Sequence, residues 1–290
     1  MMGVLFVVLA VAAGCRKKPL ELRALLIITD YDWGGVNIWN PSTGQLTTFV
    51  SRGLWAARAG RDGVVYALRQ TNPGTGIRNG YEPECDAVVK VIGAESIAKP
   101  LFTEQDWVLS DLAVTKTQLI VLMHRRPDFE AGKLVWLSYD GQVVRELAVP
   151  GFARRVFVLF GGEGLLLSDT RVGRAPRVRL LDQSDKISEI GAGSLAIPLT
   201  STEYLYEDDA EPSCVYKRSL DGKNAKLITC KVRLVGPPDP TGRYVVVSWP
   251  TAEWLAEYTE LGVYDLKTGD RFPIMKVGKD ESIVASWLPQ

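Results

Sequence analysis

The chain has 290 residues, and its 34 lysine and arginine residues balance its 34 aspartate and glutamate residues. A formal net charge of zero argues against a general nucleic-acid-binding protein, because such proteins carry a basic excess that neutralises phosphates. The single histidine, His124, excludes multi-histidine zinc sites, and the four cysteines form no CxxC pair of the zinc-ribbon or thioredoxin type. We therefore expect no nucleic-acid partner, no metal and no cofactor.

The N-terminal segment, residues 1–14, is almost wholly apolar and is followed by Cys15 and three basic residues. As a helix it would rise about 21 Å, which is too short for a hydrocarbon core of ~30 Å. It has instead the length of a signal-peptide apolar region. The small residues that precede Cys15, Ala-Ala-Gly, resemble a bacterial lipobox.

The lipobox resemblance implies that residues 1–14 are removed as a lipoprotein signal peptide. It also implies that Cys15 receives the lipid and that residues 15–21 form a lipidated tether. The protein would then be exported and anchored to the bacterial cell envelope, facing the periplasm or the outer surface. An ordinary secretory signal, or an uncleaved tail with a chance cysteine, is the alternative.

The rest of the chain repeats one pattern of about 45 residues, the size of a four-stranded propeller blade. Each repeat contains a strand, a short polar turn and a second strand, and Asp-Gly or Thr-Gly in several turns favours a hairpin. The six segments are Val36–Phe49, Ala87–Phe102, Lys133–Val149, Arg177–Ile190, Cys214–Cys230 and Leu261–Ile274.

A second, more apolar pair of strands lies between successive hairpins, so each unit has four strands, which we name A, B, C and D in chain order. The first unit lacks strand A, because Leu22–Thr29 reads as a strand B that leads directly to the hairpin. Ser282–Leu288, at the other end of the chain, supplies the missing strand. Pairing of the two closes the ring and removes open sheet edges. The prediction is an all-β, six-bladed propeller over residues 22–290, monomeric, with four antiparallel strands per blade.

Two kinds of turn carry a family resemblance. Pro238–Trp249, which reads PDPTGRYVVVSW, and Val284–Pro289, which reads VASWLP, are similar to the A–B region of TolB-like propeller repeats. Asn40–Gln45 and Asp265–Asp270 are similar to the C–D turn of the same WD-repeat-like units. The resemblance implies a fold and supplies no catalytic residues, since such motifs specify structure.

The cysteines predict one disulfide. A three-residue turn at Asp221–Lys223 places Cys214 and Cys230 directly opposite each other, with Cβ atoms ~4.5–5.5 Å apart. An exported protein would oxidise this pair, whereas the alternative is two buried free thiols. Cys85 is left as a free or buried thiol.

The B–C connections are long in most units, whereas the A–B and C–D turns are short. All B–C loops of a propeller emerge on one face, which predicts a binding face for a protein or peptide, because arginine, tryptophan and tyrosine dominate interface anchors. The alternative is that each charged run is only a solvated loop. The candidate binding residues are Trp33, Arg78, His124, Arg125, Arg126, Arg171, Arg174, Arg177, Trp254 and Tyr258, and an acidic group follows at Glu207, Asp208, Asp209 and Glu211.

Three functional classes stay open. The preferred one is a non-catalytic scaffold lipoprotein that binds an envelope protein or peptide. The second is a sensor of a small ligand or glycan on the same face. The third is a lactonase-like hydrolase with a central cation, for which Asp106, Asp111 and Glu281 in or near the A strands are the candidate ligands.

Overall fold

The structure is a computed structural model, and it describes residues 21–30, 35–50, 52–60, 62–71, 84–91, 99–125, 131–151, 153–162, 164–169, 175–208, 213–251, 258–278 and 283–288. Cys15 and the predicted signal peptide lie outside these ranges. The described residues form strands and turns and contain no helix. Consequently, no membrane-spanning helix occurs in this part of the chain.

The described ranges contain 24 strands. The first twelve are β1 (Leu26–Asp30), β2 (Val36–Asn40), β3 (Gln45–Val50), β4 (Leu54–Ala59), β5 (Val65–Gln70), β6 (Cys85–Val91), β7 (Phe102–Thr103), β8 (Trp107–Val114), β9 (Gln118–Arg125), β10 (Ala131–Ser138), β11 (Val143–Pro150) and β12 (Ala153–Val158). The remaining twelve are β13 (Leu165–Asp169), β14 (Arg177–Leu181), β15 (Ile187–Ala192), β16 (Ser194–Pro198), β17 (Glu203–Glu207), β18 (Cys214–Ser219), β19 (Lys226–Cys230), β20 (Arg233–Pro238), β21 (Tyr244–Pro250), β22 (Tyr258–Asp265), β23 (Arg271–Gly278) and β24 (Ile283–Trp287).

The two ends of the chain meet in one antiparallel sheet, ordered β24-β1-β2-β3. Leu26 pairs with Trp287 and Thr29 pairs with Val284, so β24 supplies the inner edge of the first sheet. The predicted pairing of the C-terminal strand with the first strand is therefore confirmed. It joins segments that are more than 250 residues apart in the chain.

Three further sheets contain four consecutive strands each, β12–β15, β16–β19 and β20–β23. The remaining sheet has eight strands, β4–β11, in which β6 pairs with both β7 and β8. The link between β6 and β8 is the single pair Cys85 and Leu109, so the sheet consists of two four-stranded groups joined at one point. The second unit departs most from the repeat because its strand D, β7, has only two residues.

Six strands hold the centre of the molecule. β24 contacts β4, β4 contacts β8, β8 contacts β12, β12 contacts β16, β16 contacts β20, and β20 contacts β24. Each of these is the first strand of its group of four, so they correspond to the predicted A strands. This is an all-β propeller arrangement, in which groups of antiparallel strands are disposed about a common centre.

The apolar core lies between neighbouring groups of strands. Trp136 and Ile120 pack with Val156 and Leu167 across the gap between β8–β11 and β12–β15. Side chains on the outermost strands are more exposed, and Val144 on β11 is 54% exposed. The period-two alternation of each inner strand thus buries both of its faces against two neighbours.

The A–B turn that carries the TolB-like sequence is stabilised by one carboxylate. Asp239 Oδ1 accepts hydrogen bonds from the backbone N–H groups of Arg243, at 3.0 Å, and Tyr244, at 2.8 Å. Gly242 has a φ of +73°, which favours glycine over residues with a Cβ atom. The motif therefore specifies a turn, as the resemblance implied.

We define two ends of the molecule by these connections. The A–B end contains the A–B and C–D turns, and the B–C end contains the B–C loops. The A strands run toward the A–B end, where Ala59, Val114, Pro198 and Pro238 are their last residues.

Candidate functional site

The predicted binding residues of the B–C end fall mostly outside the described residues. Six of the ten are in this position: Trp33, Arg78, Arg126, Arg171, Arg174 and Trp254. The prediction that they form a binding face stays a prediction.

Three of the ten are described and lie at the B–C end, as expected. Arg125 is the exposed last residue of β9. Tyr258 begins β22 and is 52% exposed. Arg177 begins β14, and its guanidinium is 3.0 Å from the carboxylate of Glu189. Arg125 and Tyr258 are therefore accessible, whereas Arg177 already has an anionic partner.

The prediction that His124 contributes to the binding face was wrong. His124 lies inside β9, pairs with Val108 and Gly132 on the two neighbouring strands, and is fully buried. Its Nδ1 atom is 2.6 Å from Oγ of Ser110. The strand continues past the histidine, so its side chain packs between strands and does not reach a surface partner.

Burial keeps His124 neutral. The pKa of His124 is lowered to about 3, mainly because burial removes the ring from water and also because Arg154 is positively charged, while a backbone hydrogen bond at Ala153 partly opposes the shift. Imidazole can release its proton on burial, so this side chain needs no counter-ion at neutral pH.

The acidic group predicted at the B–C end contributes to structure. Glu207 is buried and accepts a hydrogen bond from the backbone N–H of Leu234 on β20. Asp208 accepts a hydrogen bond from the backbone N–H of Cys214, at 2.9 Å. Asp209 and Glu211 lie outside the described residues. The two described acids therefore cannot be counted as free contacts for a basic partner.

The carboxylates proposed for a central cation do not converge in the described part of the chain. Asp106 lies in an exposed turn before β8, whereas Asp111 is fully buried within β8. The part of β8 from Trp107 to Asp111 alone spans roughly 13 Å. Glu281 lies outside the described residues, and within those residues no three potential metal ligands form a group.

A buried ion pair occupies the centre of the molecule. Arg58, in β4, has its Nη2 atom 3.4 Å from Oδ1 of Asp111, and the two side chains are nearly or fully buried. Oδ2 of Asp111 accepts a hydrogen bond from the backbone N–H of Val156, at 3.0 Å. Asp111 therefore ties together three consecutive inner strands, β4, β8 and β12.

The charge of Arg58 is only partly compensated. Burial lowers the pKa of Arg58, the attraction of Asp111 opposes this shift, and the nearby charge of Arg155 adds to it. Arg58 cannot lose its proton in ordinary conditions, so it persists as a buried cation. A buried cation of this kind favours an additional anion, if one can reach it.

Other buried polar groups bind the inner strands to one another. Oγ of Ser286 donates to the carbonyl of Ala57, at 3.0 Å, and Nε1 of Trp287 donates to the carbonyl of Pro237, at 2.8 Å. Nε1 of Trp55 donates to the carbonyl of Ser110, at 3.2 Å. These bonds hold the central strands in fixed relative positions.

A cavity of about 900 Å³ opens at the A–B end. Each of the six inner strands contributes its last residue to the wall of this cavity. The contributing residues are Ala59, Val114, Val158, Pro198, Pro238 and Trp287. A concave, mostly apolar and preformed cavity of this size is typical of a ligand-binding site.

The same cavity extends outward between two groups of strands. On one side its wall follows β8 to β11 through Ile120, Trp136 and Arg145, and on the other it includes Leu181 and Asp185. The guanidinium of Arg145 lies 4.2 Å from the centre of the Trp136 ring and forms an ion pair with Asp185. The cavity is thus elongated, with an apolar centre and a charged outer end.

This cavity was not predicted, because its walls come from strand ends and short turns. One signal was present: Arg58 is the only charged residue in the apolar segment LWAARA of β4. A charge within a buried strand requires a partner or a function.

The predicted disulfide is confirmed. Cys214 and Cys230 are direct cross-strand partners in β18 and β19, and they are bonded to each other. Cys85 is buried and does not belong to this disulfide.

Comparisons with known proteins define the fold. No protein-family model matches the sequence, and no curated protein matches it. Among solved structures, TolB from Acinetobacter baumannii aligns at a TM-score of 0.63 and 9% identity, over 92% of this chain and 66% of that chain. A putative TolB from Agrobacterium tumefaciens aligns at 0.51 and 12%, over 92% and 99% of the two chains. The WD40 β-propeller domain of Doa1 aligns at 0.51 and 10%, over 88% and 79%.

These similarities confirm the TolB-like and WD-repeat-like resemblance at the level of the fold. Identities of this size establish a common architecture alone. This chain spans 66% of the length of the Acinetobacter protein.

Proposed function

We propose that the protein is a non-catalytic binding propeller whose ligand is an envelope protein or peptide. The observation that carries this proposal is the cavity at the A–B end, to which all six inner strands contribute. Walls made of strand ends and short turns need little reordering, so little conformational entropy opposes binding.

We also propose that the fold is a closed ring of six four-stranded blades. Support comes from the six inner strands, which contact one another in a cycle from β24 through β4, β8, β12, β16 and β20 back to β24. The two groups within the eight-stranded sheet count as two blades, since one residue pair joins them. We further propose that the propeller is monomeric.

The hydrolase alternative has less support. Both oxygens of Asp111 already have partners, since Oδ1 faces Arg58 and Oδ2 accepts from Val156. A cation at that carboxylate would have to displace Arg58. A sensor of a small ligand or glycan would use the same cavity. The identity of the bound ligand distinguishes this alternative from the preferred function.

The B–C end is a second proposed contact surface. Arg125 and Tyr258 are exposed there, and the long loops carry the remaining predicted arginines. Guanidinium groups suit carboxylate or phosphate partners because they can donate two parallel hydrogen bonds.

We propose export and lipid anchoring through Cys15. The signal-like residues 1–14 support export, and the disulfide is consistent with an oxidising compartment. Cys15→Ser should abolish lipidation and shift the protein from the membrane fraction to a soluble or unprocessed form, as measured by fractionation and mass spectrometry of the N-terminus. A variant that remains in membranes like the wild type would contradict the anchor.

Site-specific photo-crosslinking in native cells tests the binding function. A photoreactive residue replaces Thr117 at the cavity, Arg125 at the B–C end, or Val144 on the outer edge as a control. We expect a discrete adduct from Thr117, from Arg125 or from both, and none from Val144. The partner, identified by mass spectrometry, should bind the purified protein. Equal adduct yields at all three positions would contradict a dedicated binding site.

A further inference from the structure

We infer that Arg58 binds the terminal carboxylate of an apolar peptide, which lies extended along the cavity from the centre of the molecule to its outer edge. This inference rests on the proposed binding function and deepens it by naming the ligand chemistry. The observation behind it is a buried arginine that faces the inner end of an elongated apolar cavity.

Arg58 is the charged residue at the inner end of the cavity. The other charged residues of the described wall are Lys116, Arg145, Asp182 and Asp185, which lie in turns or on the outermost strand. Arg58 lies on an inner strand, one residue before the strand ends, and is 7% exposed. A ligand that reaches the centre therefore meets this guanidinium.

The guanidinium of Arg58 has donors to spare. An arginine side chain carries five N–H donors in one plane. Among the described residues, Arg58 makes one ion pair with Asp111, at 3.4 Å, and one hydrogen bond from Nη1 to the carbonyl of Ala57, at 3.2 Å. The remaining donors match the two oxygens of a carboxylate, which arginine binds in a bidentate geometry.

Asp111 does not satisfy this cation completely. One of its oxygens accepts from the backbone of Val156, and the other approaches Arg58 at a distance longer than a strong charge-assisted hydrogen bond. The cost of burying Arg58 exceeds the attraction of Asp111, which is why the pKa of Arg58 is lowered. A second carboxylate would recover part of this lost solvation.

The body of the ligand must be apolar. Besides Arg58, the wall of the cavity contains Val156, Phe157, Pro238 and Trp287. These side chains offer dispersion contacts and few hydrogen bonds. A highly polar anion would lose its hydration there without replacement.

The shape of the cavity favours an extended chain over a compact acid. Its wall crosses the four strands β8, β9, β10 and β11, through Val114, Ile120, Trp136 and Arg145. Three inter-strand spacings amount to roughly 14 Å, which is the length of about four extended residues. A compact acid would fill only the central part and leave the outer part open to water.

Fluorescence anisotropy with defined probes tests this inference on the full-length protein purified in detergent. The probes are fluorescein-labelled hexapeptides whose last four residues are leucine, valine or phenylalanine, with either a free or an amidated C-terminus. We expect the free acids to bind at least tenfold more tightly than the amides. Unlabelled 4-phenylbutyrate should compete at least a hundredfold more weakly than the corresponding unlabelled peptide.

Three variants locate the site. Arg58→Lys keeps the charge but loses the planar fork, so binding of the free acid should weaken at least tenfold while binding of the amide should not change. Val158→Trp fills the cavity without disturbing the ion pair and should abolish binding of both. Val144→Trp places the same residue on the exposed outer strand and should have no effect. Thermal melting reports whether each variant is folded. If Arg58→Lys unfolds, the comparison of acid with amide, the competition by 4-phenylbutyrate and the Val158→Trp variant decide the outcome.

Several outcomes would overturn the inference. Equal affinity for the free acid and the amide would show that the carboxylate is not recognised. That result would refute the role of Arg58 even if Val158→Trp abolished binding of both peptides and so placed them in the cavity. Tight competition by 4-phenylbutyrate would make a small acid, and not a peptide, the ligand. Wild-type affinity in Val158→Trp would place the site elsewhere, and absence of any peptide binding would also refute the inference. The crosslinking experiment tests the general binding function separately.

Discussion

In the described part of the chain, each end of the molecule contains one deeply buried basic side chain, and the two differ in charge. Near the B–C end, His124 is neutral and pairs with a serine hydroxyl. Near the A–B end, Arg58 remains charged beside Asp111 and faces a cavity. Imidazole can lose its proton on burial, whereas guanidinium cannot. A buried cation that must stay charged is therefore the better sign of a binding site.

Removal of β24, which contributes to the central hydrogen bonds, should have the largest effect on the free energy of unfolding. Deletion of residues 282–290 removes β24 and its pairing with β1, and also Ser286 and Trp287 from the central bonding. The free energy of unfolding should fall by more than about 5 kcal/mol, which is comparable to the whole stability of many domains. Chemical denaturation and near-UV circular dichroism measure it. A deletion variant that unfolds like the wild type would contradict closure by the C-terminal strand.

Breaking the Arg58 pair should have the next largest effect. Asp111→Asn leaves the buried guanidinium without its anion and should lower the free energy of unfolding by about 3–5 kcal/mol. Asp86→Asn is the matched control, because its pair with Arg69 is more than a third exposed and should contribute about 0–1 kcal/mol. Urea denaturation compares the two variants. Similar losses in both would show that burial of the Arg58 pair has no special cost.

The neutral state of His124 predicts a pH dependence. Its pKa is about 3 in the folded chain and near 6.5 when unfolded. As the pH falls, the unfolded state therefore takes up the proton first. The contribution of neutral His124 to stability is thus fully present above pH 6.5 and decreases as the pH falls toward 3. Between pH 7 and pH 4.5 the loss should be about 2–3 kcal/mol.

His124→Gln is the control for this pH effect, since glutamine does not titrate. Denaturation curves at several pH values should show a smaller loss in the variant than in the wild type. If both proteins lose the same stability, the acid sensitivity comes from other groups and not from His124.

The arginines predicted for the B–C end should have the smallest effect on the free energy of unfolding. Replacement of Arg125, Arg126 and Arg174 by serine should change the free energy of unfolding by less than about 1 kcal/mol, since surface charges contribute little. If that end binds a partner, the same variant should weaken binding and flatten its salt dependence. Calorimetry with the crosslinked partner compares it with Val158→Trp, which tests the other end. Full affinity in the arginine variant would exclude these residues as contacts.

Much of the fold followed from local sequence. Hairpins form between residues that are close in the chain, so turn chemistry and period-two alternation were sufficient to predict them. The Cys214–Cys230 pairing followed from the length of one turn. The missing strand at one end and the spare strand at the other predicted the contact between β24 and β1.

The candidate site depended on tertiary structure. Arg58 and Asp111 are 53 residues apart, on strands whose relative position is set by packing between groups and not by any turn. His124 was predicted to be a binding residue because it lies at the end of a B strand, directly before two arginines, yet β9 extends one residue beyond it and two flanking strands cover it. The long, charged B–C loops are conspicuous in sequence, whereas the cavity arises from short turns brought together around one centre. Local patterns determine which strands form, but only their mutual packing decides which side chains meet, because that depends on contacts between residues far apart in the chain.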